Sequence, residues 1–220
     1  MATLRALLAL GNAKLGTAIH HFDLEAVSTC PGRSSLCESV CYARRGRFHV
    51  GPVRNRLRWC LRQSRRTDFA DRMVSEVRRK GALVVRVHVS GDFYAREYAA
   101  QWLSVFRRCH ATTFYFYTRS WRVAEVAPVL EQMAGLENVR AWYSADVETG
   151  LPEPLPKGVR VAWLQTAADD PVTGDLVFRD RPVRPTPLPG FGLPVVCPSE
   201  TPVGHRQGVN CGNCGHCWRA

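Results

Sequence analysis

Nine cysteines, at positions 30, 37, 41, 60, 109, 197, 211, 214 and 217, are the residues of this chain whose type and spacing best suit chemistry. Seven of them fall into two groups. Cys30, Cys37 and Cys41 follow the pattern C-x6-C-x3-C within the stretch Thr29 to Ala43, which is rich in Pro, Gly and Ser. Three thiolates so close in sequence can wrap one metal centre and leave its fourth position open, as reactive metal sites do. Cys197, followed by Pro198, joins Cys211, Cys214 and Cys217, which form a C-x2-C-x2-C run with small residues between them. Four thiolates make a closed site, suited to a structural or electron-transferring centre. The expected cofactors are two [4Fe–4S] clusters. Zinc is the alternative metal at either group, and His20, His21 or His49 can complete a zinc site at the first. An odd cysteine count without a leader-like segment argues against a disulfide framework. Cys60 and Cys109 stand alone in helical patterns and read as small buried hydrophobes.

Charge is the second chemical signal. The chain of 220 residues carries a net +11, and Arg44 to Lys80 holds 13 basic against 3 acidic residues. Arg54, Arg58, Arg62 and Arg65 recur near helical spacing, and Arg44, Arg45 and Arg47 follow the first cysteine group directly. Such a concentration points to a polyanion, with RNA or DNA the first candidate partner. The bland alternative is a solvated arginine-rich helix face. No apolar run approaches the roughly 18 residues of a membrane span. The apolar stretch Leu4 to Leu10 is too short for a signal sequence, so a cytoplasmic protein without a membrane partner is expected.

Elements that can position these residues are legible in the apolar patterning. Leu83–Val89, Thr113–Thr118, Val139–Ser144 and Val159–Leu164 read as strands, with a fifth upstream at Ala18–Val27. Helical spacing fills Tyr94–Arg108 and Val123–Met133, and a helix with the stripe Leu57, Leu61, Phe69, Met73 and Val77 precedes the strand at Leu83. Successive βα units imply a parallel sheet with right-handed crossovers. No glycine-rich phosphate loop follows any strand, so the fold class expected is α/β, an open or partial parallel βα barrel over residues 1–170. Residues 171–220 are expected to form a Pro/Gly-rich segment, irregular from Pro182 to Gly190, and a cysteine-rich tail packed on the barrel.

Polar strand residues near C-terminal strand ends line the site in such a fold. Val84, Arg86 and His88 are expected on one face with Asp92 beyond; Tyr115, Tyr117 and Arg119 on the next; Arg140, Trp142 and Ser144 on the next, with Asp146 after them. His88, Asp92, Arg119 and Asp146 are the candidate catalytic residues, against the alternative that each satisfies a core hydrogen bond. Lys14, in Gly-Asn-Ala-Lys-Leu-Gly, reads as part of a turn and not as a phosphate loop.

The order of strand, three-cysteine loop ending Cys41-Tyr42-Ala43, long helix and βα repeats resembles the radical S-adenosylmethionine enzymes, with C-x6-C-x3-C where that superfamily carries C-x3-C-x2-C. The resemblance implies S-adenosylmethionine as a candidate ligand, held by Ser90, Gly91 and Asp92 in Val89-Ser90-Gly91-Asp92-Phe93-Tyr94. The tail run is similar to that of bacterial ferredoxins. A fuller resemblance, to the phage "gene product 88" family, rests on Gly11 to Gly16, the Thr29–Ala43 loop, Val87 to Phe93, Tyr117-Thr118-Arg119-Ser120-Trp121 and the Cys197 to Cys217 tail. It implies a phage or mobile-element protein in a bacterial host and metal ligation by the cysteines, and no reaction. The expected function is an iron–sulfur protein acting on nucleic acid, an enzyme modifying or cleaving RNA or DNA through an open [4Fe–4S] cluster supplied by an electron donor. The alternatives are a non-enzymatic nucleic-acid binder with structural metals, and an enzyme on a small molecule or peptide.

Overall fold

Thr113–Thr118 reads Thr-Phe-Tyr-Phe-Tyr-Thr, and the period of two along a strand sends its phenylalanines to one side and its tyrosines to the other. That division runs through the whole protein. The computed structural model describes residues 5–186 and 195–219. Eight strands form one sheet in chain order: β1 (Ala9–Asn12), β2 (Gly16–Phe22), β3 (Val84–Val87), β4 (Thr113–Thr118), β5 (Val139–Ala145), β6 (Val159–Gln165), β7 (Leu176–Arg179) and β8 (Val195–Val196). β1 is antiparallel to β2, and every later pair is parallel. The β1–β2 turn is closed by Asn12, whose Oδ1 accepts the backbone N–H groups of Lys14 and Leu15, both at 2.9 Å.

The α-helices are α1 (Ser35–Ser39), α2 (Gly51–Ser64), α3 (Phe69–Lys80), α4 (Arg96–Arg108), α5 (Ala127–Ala134), α6 (Pro202–Arg206) and α7 (Cys211–Cys214). Sequential parallel strands with crossovers of one hand put the connecting helices on one face. There Phe69 and Met73 of α3, Trp102 and Phe106 of α4 and Leu130 of α5 bury against Phe22, Val85, Val87, Phe114 and Phe116 of the sheet. The opposite face carries Ile19, Val84, Tyr115, Tyr117, Trp142 and Leu176, and the C-terminal tail covers it through Cys197, Cys211, Cys217 and Trp218. The expected α/β class with a mostly parallel sheet therefore holds.

Several expectations need correction. The single helix expected before β3 is two, broken at Arg65–Asp68, where Arg66 grips Asp68 with two bonds of 2.7 and 2.9 Å. α3 ends at Gly81 in the left-handed region, φ 57°, with its N–H on the Arg78 carbonyl, a conformation glycine adopts without a Cβ penalty. β1 was not foreseen, because its four residues alternate between half-buried and exposed. Nor does the strand pattern stop at residue 170. β7 pairs with β6 and β8 with β7, so the later segment adds strands as well as a tail. Arg181–Val183 is a single 3-10 turn. Residues 187–190 of the expected irregular stretch, and Leu4 of the apolar stretch at the start, lie outside the described residues.

His88 does not share the face expected for it with Val84 and Arg86. β3 ends at Val87, so alternation no longer decides where His88 points, and it lies on the helix side away from Arg86. It is 3% exposed, with Nε2 2.6 Å from Tyr98 Oη and its ring against Phe93 and Trp102. Burial holds its pKa down at about 3, so it is a neutral core histidine. Between pH 6.5 and that value the unfolded chain binds a proton that the native one refuses, so native stability falls as pH drops. His88→Gln, which keeps a hydrogen-bonding group for Tyr98, is expected to flatten that fall by up to about 1.4 kcal/mol per pH unit. Urea titrations of both proteins from pH 7 to pH 4 measure the difference in slope.

Candidate functional site

In an open parallel sheet, ligands bind outside the carboxyl ends of the strands. The first cysteine group lies there, in the connection that leaves β2. Asp23 Oδ1 accepts the Val89 N–H at 2.7 Å, and Leu24 and Ser90 exchange two bonds of 2.8 and 2.9 Å, so the chain leaving β2 is sewn to the end of β3. Gly91 closes the same seam: a Cβ there would lie 2.5 Å from Leu24 Cβ.

The loop is then bolted to the ends of β4 and β5. Ser34 caps α1, its Oγ accepting from Cys37 N at 2.9 Å and donating to Asp146 Oδ2 at 2.6 Å. Asp146 is fully buried, accepts from the N–H groups of Glu148 and Thr149 at 3.0 Å each, and pairs with Arg119 at 2.7 Å. Asp92 accepts from Thr118 Oγ1 at 2.6 Å and from the N–H groups of Phe93 and Arg119 at 2.7 and 2.8 Å. Gly32 lies so close to Arg119 that a Cβ would stand 2.0 Å from its carbonyl oxygen, and Arg122 donates to the Gly32 carbonyl at 2.9 Å. Three of the four candidate catalytic residues, Asp92, Arg119 and Asp146, are thus gathered at one end of the sheet; Asp146 and Arg119 meet the cysteine loop directly, and Asp92 ties the end of β4 to the turn after β3.

Cys30, Cys37 and Cys41 are all half-buried free thiols. Burial, the Asp92 carboxyl and the two neighbouring thiols push Cys30 up to about 12. Burial also raises Cys37, while the Arg119 guanidinium opposes the rise. Cys41 lies near enough to Cys30 and Cys37 to raise the pKa of both, and thiols are the donor type a thiophilic metal would need. No group of three or more His, Cys, Asp or Glu side chains forms a ready metal site among the described residues. Of the three histidines considered as a fourth ligand, His21 turns to Asp23 at 2.6 Å and His49 to the Arg44 carbonyl. S-adenosylmethionine fits less well at its expected residues: Ser90 Oγ, Gly91 and both Asp92 oxygens are used within the protein.

From Cys41 the chain runs through two 3-10 turns into α2. Arg44, Arg45, Arg47, Arg54, Arg58, Arg62 and Arg65 are all exposed. Surface pairs to Glu38 and Glu25 engage Arg44 and Arg58, at 3.6 and 3.1 Å, and such pairs hold little energy. Arg56 does structural work instead, donating to the carbonyls of Ala6 and Leu7 at 3.0 and 2.6 Å. An open hollow lined by Pro31, Arg33, Ser34, Glu38 and Arg44 lies between the loop and this basic run.

The second cysteine group sits on the tail-covered face. Cys197 and Cys217 pack with Tyr117 and Trp142, and Cys211 with Cys217 and Tyr115. Cys211 N donates to the Lys14 carbonyl at 2.8 Å, while Trp142 Nε1 and Arg160 donate to the Cys217 carbonyl at 3.0 and 3.2 Å. Asn210 caps α7, which presents Cys211 and Cys214 one turn apart. Lys14 Nζ turns inward to Glu200 at 3.1 Å, so the residue expected in a plain turn also ties the β1–β2 hairpin to the tail. Cys60 and Cys109 are buried in the helix-side core, as expected. Ser34 and Gly32 escaped the sequence reading, although a serine just before a helical segment is an N-cap signal.

Fold and site define a class: an open, singly ordered α/β sheet with one cysteine group over its strand ends and another under its tail. The family described as Gene product 88 matches residues 4–220, and the chain belongs to that family. The chain is 30% identical over 174 residues to the Gene 88 protein of Mycobacterium phage L5, covering 71% of this chain and 70% of that one. It is 27% identical over 225 residues to the Gene 88 protein of Mycobacterium phage D29, covering 94% and 85%. No solved structure matches it. Among the described residues no helix is long and apolar enough to cross a membrane.

The clamp makes a stability prediction. Asp146→Ala leaves the Arg119 guanidinium, 7% exposed, without its counter-charge. A cost of about 3–5 kcal/mol is expected in urea unfolding, and adding Arg119→Met should recover part of it. A double variant that costs the sum of the two singles would mean the pair is not the unit that holds the loop.

Proposed function

We propose that this protein is a metal–thiolate protein of phage-infected bacterial cytoplasm that acts on nucleic acid. Cys30, Cys37 and Cys41 would hold an iron–sulfur cluster with one open position, and Cys197, Cys211, Cys214 and Cys217 a closed second centre. The open sheet is read as a partial βα barrel whose strand ends present the first centre. The observation that carries the reading is the loop itself: three thiols pinned over the strand ends, with seven exposed arginines continuing from them. When bound, an open cluster supplies one-electron or Lewis-acid chemistry to a ligand at the free iron. The chain's own part is to fix the loop through Ser34, Asp146 and Arg119, and to hold a phosphate backbone along the arginines. S-adenosylmethionine is left out of this reading because its expected residues are engaged elsewhere.

A second reading, a nucleic-acid binder with structural metals, is favoured by one fact. Asp92 and Asp146 have no oxygen left for acid–base work. Metal identity separates the two. Protein purified without oxygen should absorb broadly near ~400 nm and carry iron and sulfide, about eight irons if both centres are [4Fe–4S]. Stoichiometric zinc without sulfide would end the iron–sulfur reading and leave the binder.

The nucleic-acid part is tested by salt dependence. Replacing Arg54, Arg58, Arg62 and Arg65 together by Gln should weaken binding of a labelled oligonucleotide. The log–log salt slope should shrink by roughly 0.7 per lost phosphate contact on a single strand. Folding should be unaffected, since these side chains are exposed and off the buried Leu57 and Cys60 side of α2. Unchanged affinity and slope would make the basic run a solvated surface.

A further inference from the structure

The tail-covered face of the sheet contains a cation that pairs with no carboxylate among the described residues. Arg86 of β3 is 6% exposed, and its one hydrogen bond among the described residues runs from Nε to the His88 carbonyl at 3.1 Å. Its guanidinium carbon lies 5.9 Å from the Tyr115 ring centre and 5.1 Å from that of Tyr117. Aromatic faces stabilise a cation without cancelling its charge. Other bases drawn into the fold, buried or half-buried, are treated differently. Arg119 has Asp146 at 2.7 Å and Lys14 has Glu200 at 3.1 Å. Arg179, whose guanidinium likewise pairs with no carboxylate among the described residues, meets oxygens of Gln165, Arg184 and Thr186 at 2.8, 3.3 and 2.7 Å.

The groups that face Arg86 are the hydroxyls of Tyr42, Tyr115 and Tyr117 and the thiol of Cys211, with Cys217 packed on the same tyrosines. Phenols keep their protons at neutral pH. A buried base left facing only neutral groups is strongly disfavoured. Thiolates on a metal would supply negative charge here, because coordination deprotonates a thiol outright. Cys197, Cys211 and Cys217 converge on Tyr117 and Tyr115, directly beside this guanidinium.

We infer that Arg86 is the counter-cation of a metal–thiolate centre built on Cys197, Cys211, Cys214 and Cys217, an inference that rests on the metal reading of the tail. Arg86 touches no metal in this scheme. It lowers the cost of gathering thiolates under the sheet, and the thiolates in turn remove the cost of burying Arg86.

The test uses the full chain purified without oxygen with the metal it carries, in four forms: wild type, Arg86→Gln, Arg86→Lys and the tail-deficient Cys211→Ser/Cys214→Ser. Metal retention is followed against a chromophoric chelator. Arg86→Gln should weaken retention by about 10–100-fold, the range seen when a group supporting metal ligands is lost, and Arg86→Lys should restore most of it. Thermal melts supply a readout of opposite sign. Arg86→Gln should lower the melting temperature of the metal-loaded chain. Added to the tail-deficient variant, it should leave the melting temperature unchanged or raise it, because the cation there has no partner to lose. A fall of equal size in both backgrounds, or wild-type retention in Arg86→Gln, would overturn the role of Arg86 while leaving a tail metal in place. Equal metal content in wild type and the tail-deficient variant would remove the tail centre itself, and the inference with it.

Discussion

A parallel sheet has no face it can leave to water, and that constraint organises this protein. The crossovers between β2 and β5 bring helices that cover one side with Phe69, Trp102, Phe106 and Leu130. Among the described residues, the crossovers from β5 to β7 bring no α-helix, and the other side falls to the chain's own C-terminal tail. The tail is therefore part of the hydrophobic core and not an appendage to it. Its cysteines are seated because the aromatic residues beneath them need covering, and Trp142 and Arg160 fix the Cys217 carbonyl in place. A ligand bound by these thiols would bear directly on the stability of the sheet.

The same reasoning explains the carboxylates at the other end. Asp92 and Asp146 stand where catalytic groups of barrel enzymes stand, but a buried carboxylate must satisfy its oxygens, and these two do so with backbone N–H groups, hydroxyls and Arg119. What they build is a rigid seat for a loop that contains Pro31, Gly32, Ser34 and Ser35 and would otherwise be loose. Of the candidate residues at this end, the three thiols are the ones not committed to this network, and the polar residues position their loop. Loss of one clamp member is felt by the whole loop, since Ser34 joins the α1 cap and Asp146 in one network.

The arginine-rich segment also divides into two populations. Arg56 and Arg72 reach protein acceptors and hold α2 and α3 in place. Those at 44, 45, 47, 54, 58, 62 and 65 stay exposed and continue outward from the cysteine loop. A charge count alone cannot separate the two, because each arginine adds the same charge whether the fold holds its guanidinium or leaves it at the surface.

Local pattern determined much of this protein. The period of two in β4, β5 and β6 and the apolar stripe of α4 placed their elements within a few residues, because each follows from burial of one side of a regular backbone. The cysteine spacings marked both candidate centres, since ligands close in sequence must be close in space. Tertiary structure decided the rest. β1, β7 and β8 are two to four residues long and become strands only by pairing with a neighbour. His88 lies beyond the regular part of β3, so its side was set by the aromatic cavity around Tyr98 and not by alternation. Asp146 and Ser34 are 112 residues apart and Glu200 is 186 residues from Lys14. Such contacts leave no periodic trace, because they exist only once the sheet has brought its strand ends together. Arg86 shows the limit most plainly: one arginine among many in the chain, it became exceptional only when the fold buried it with no carboxylate partner among the described residues.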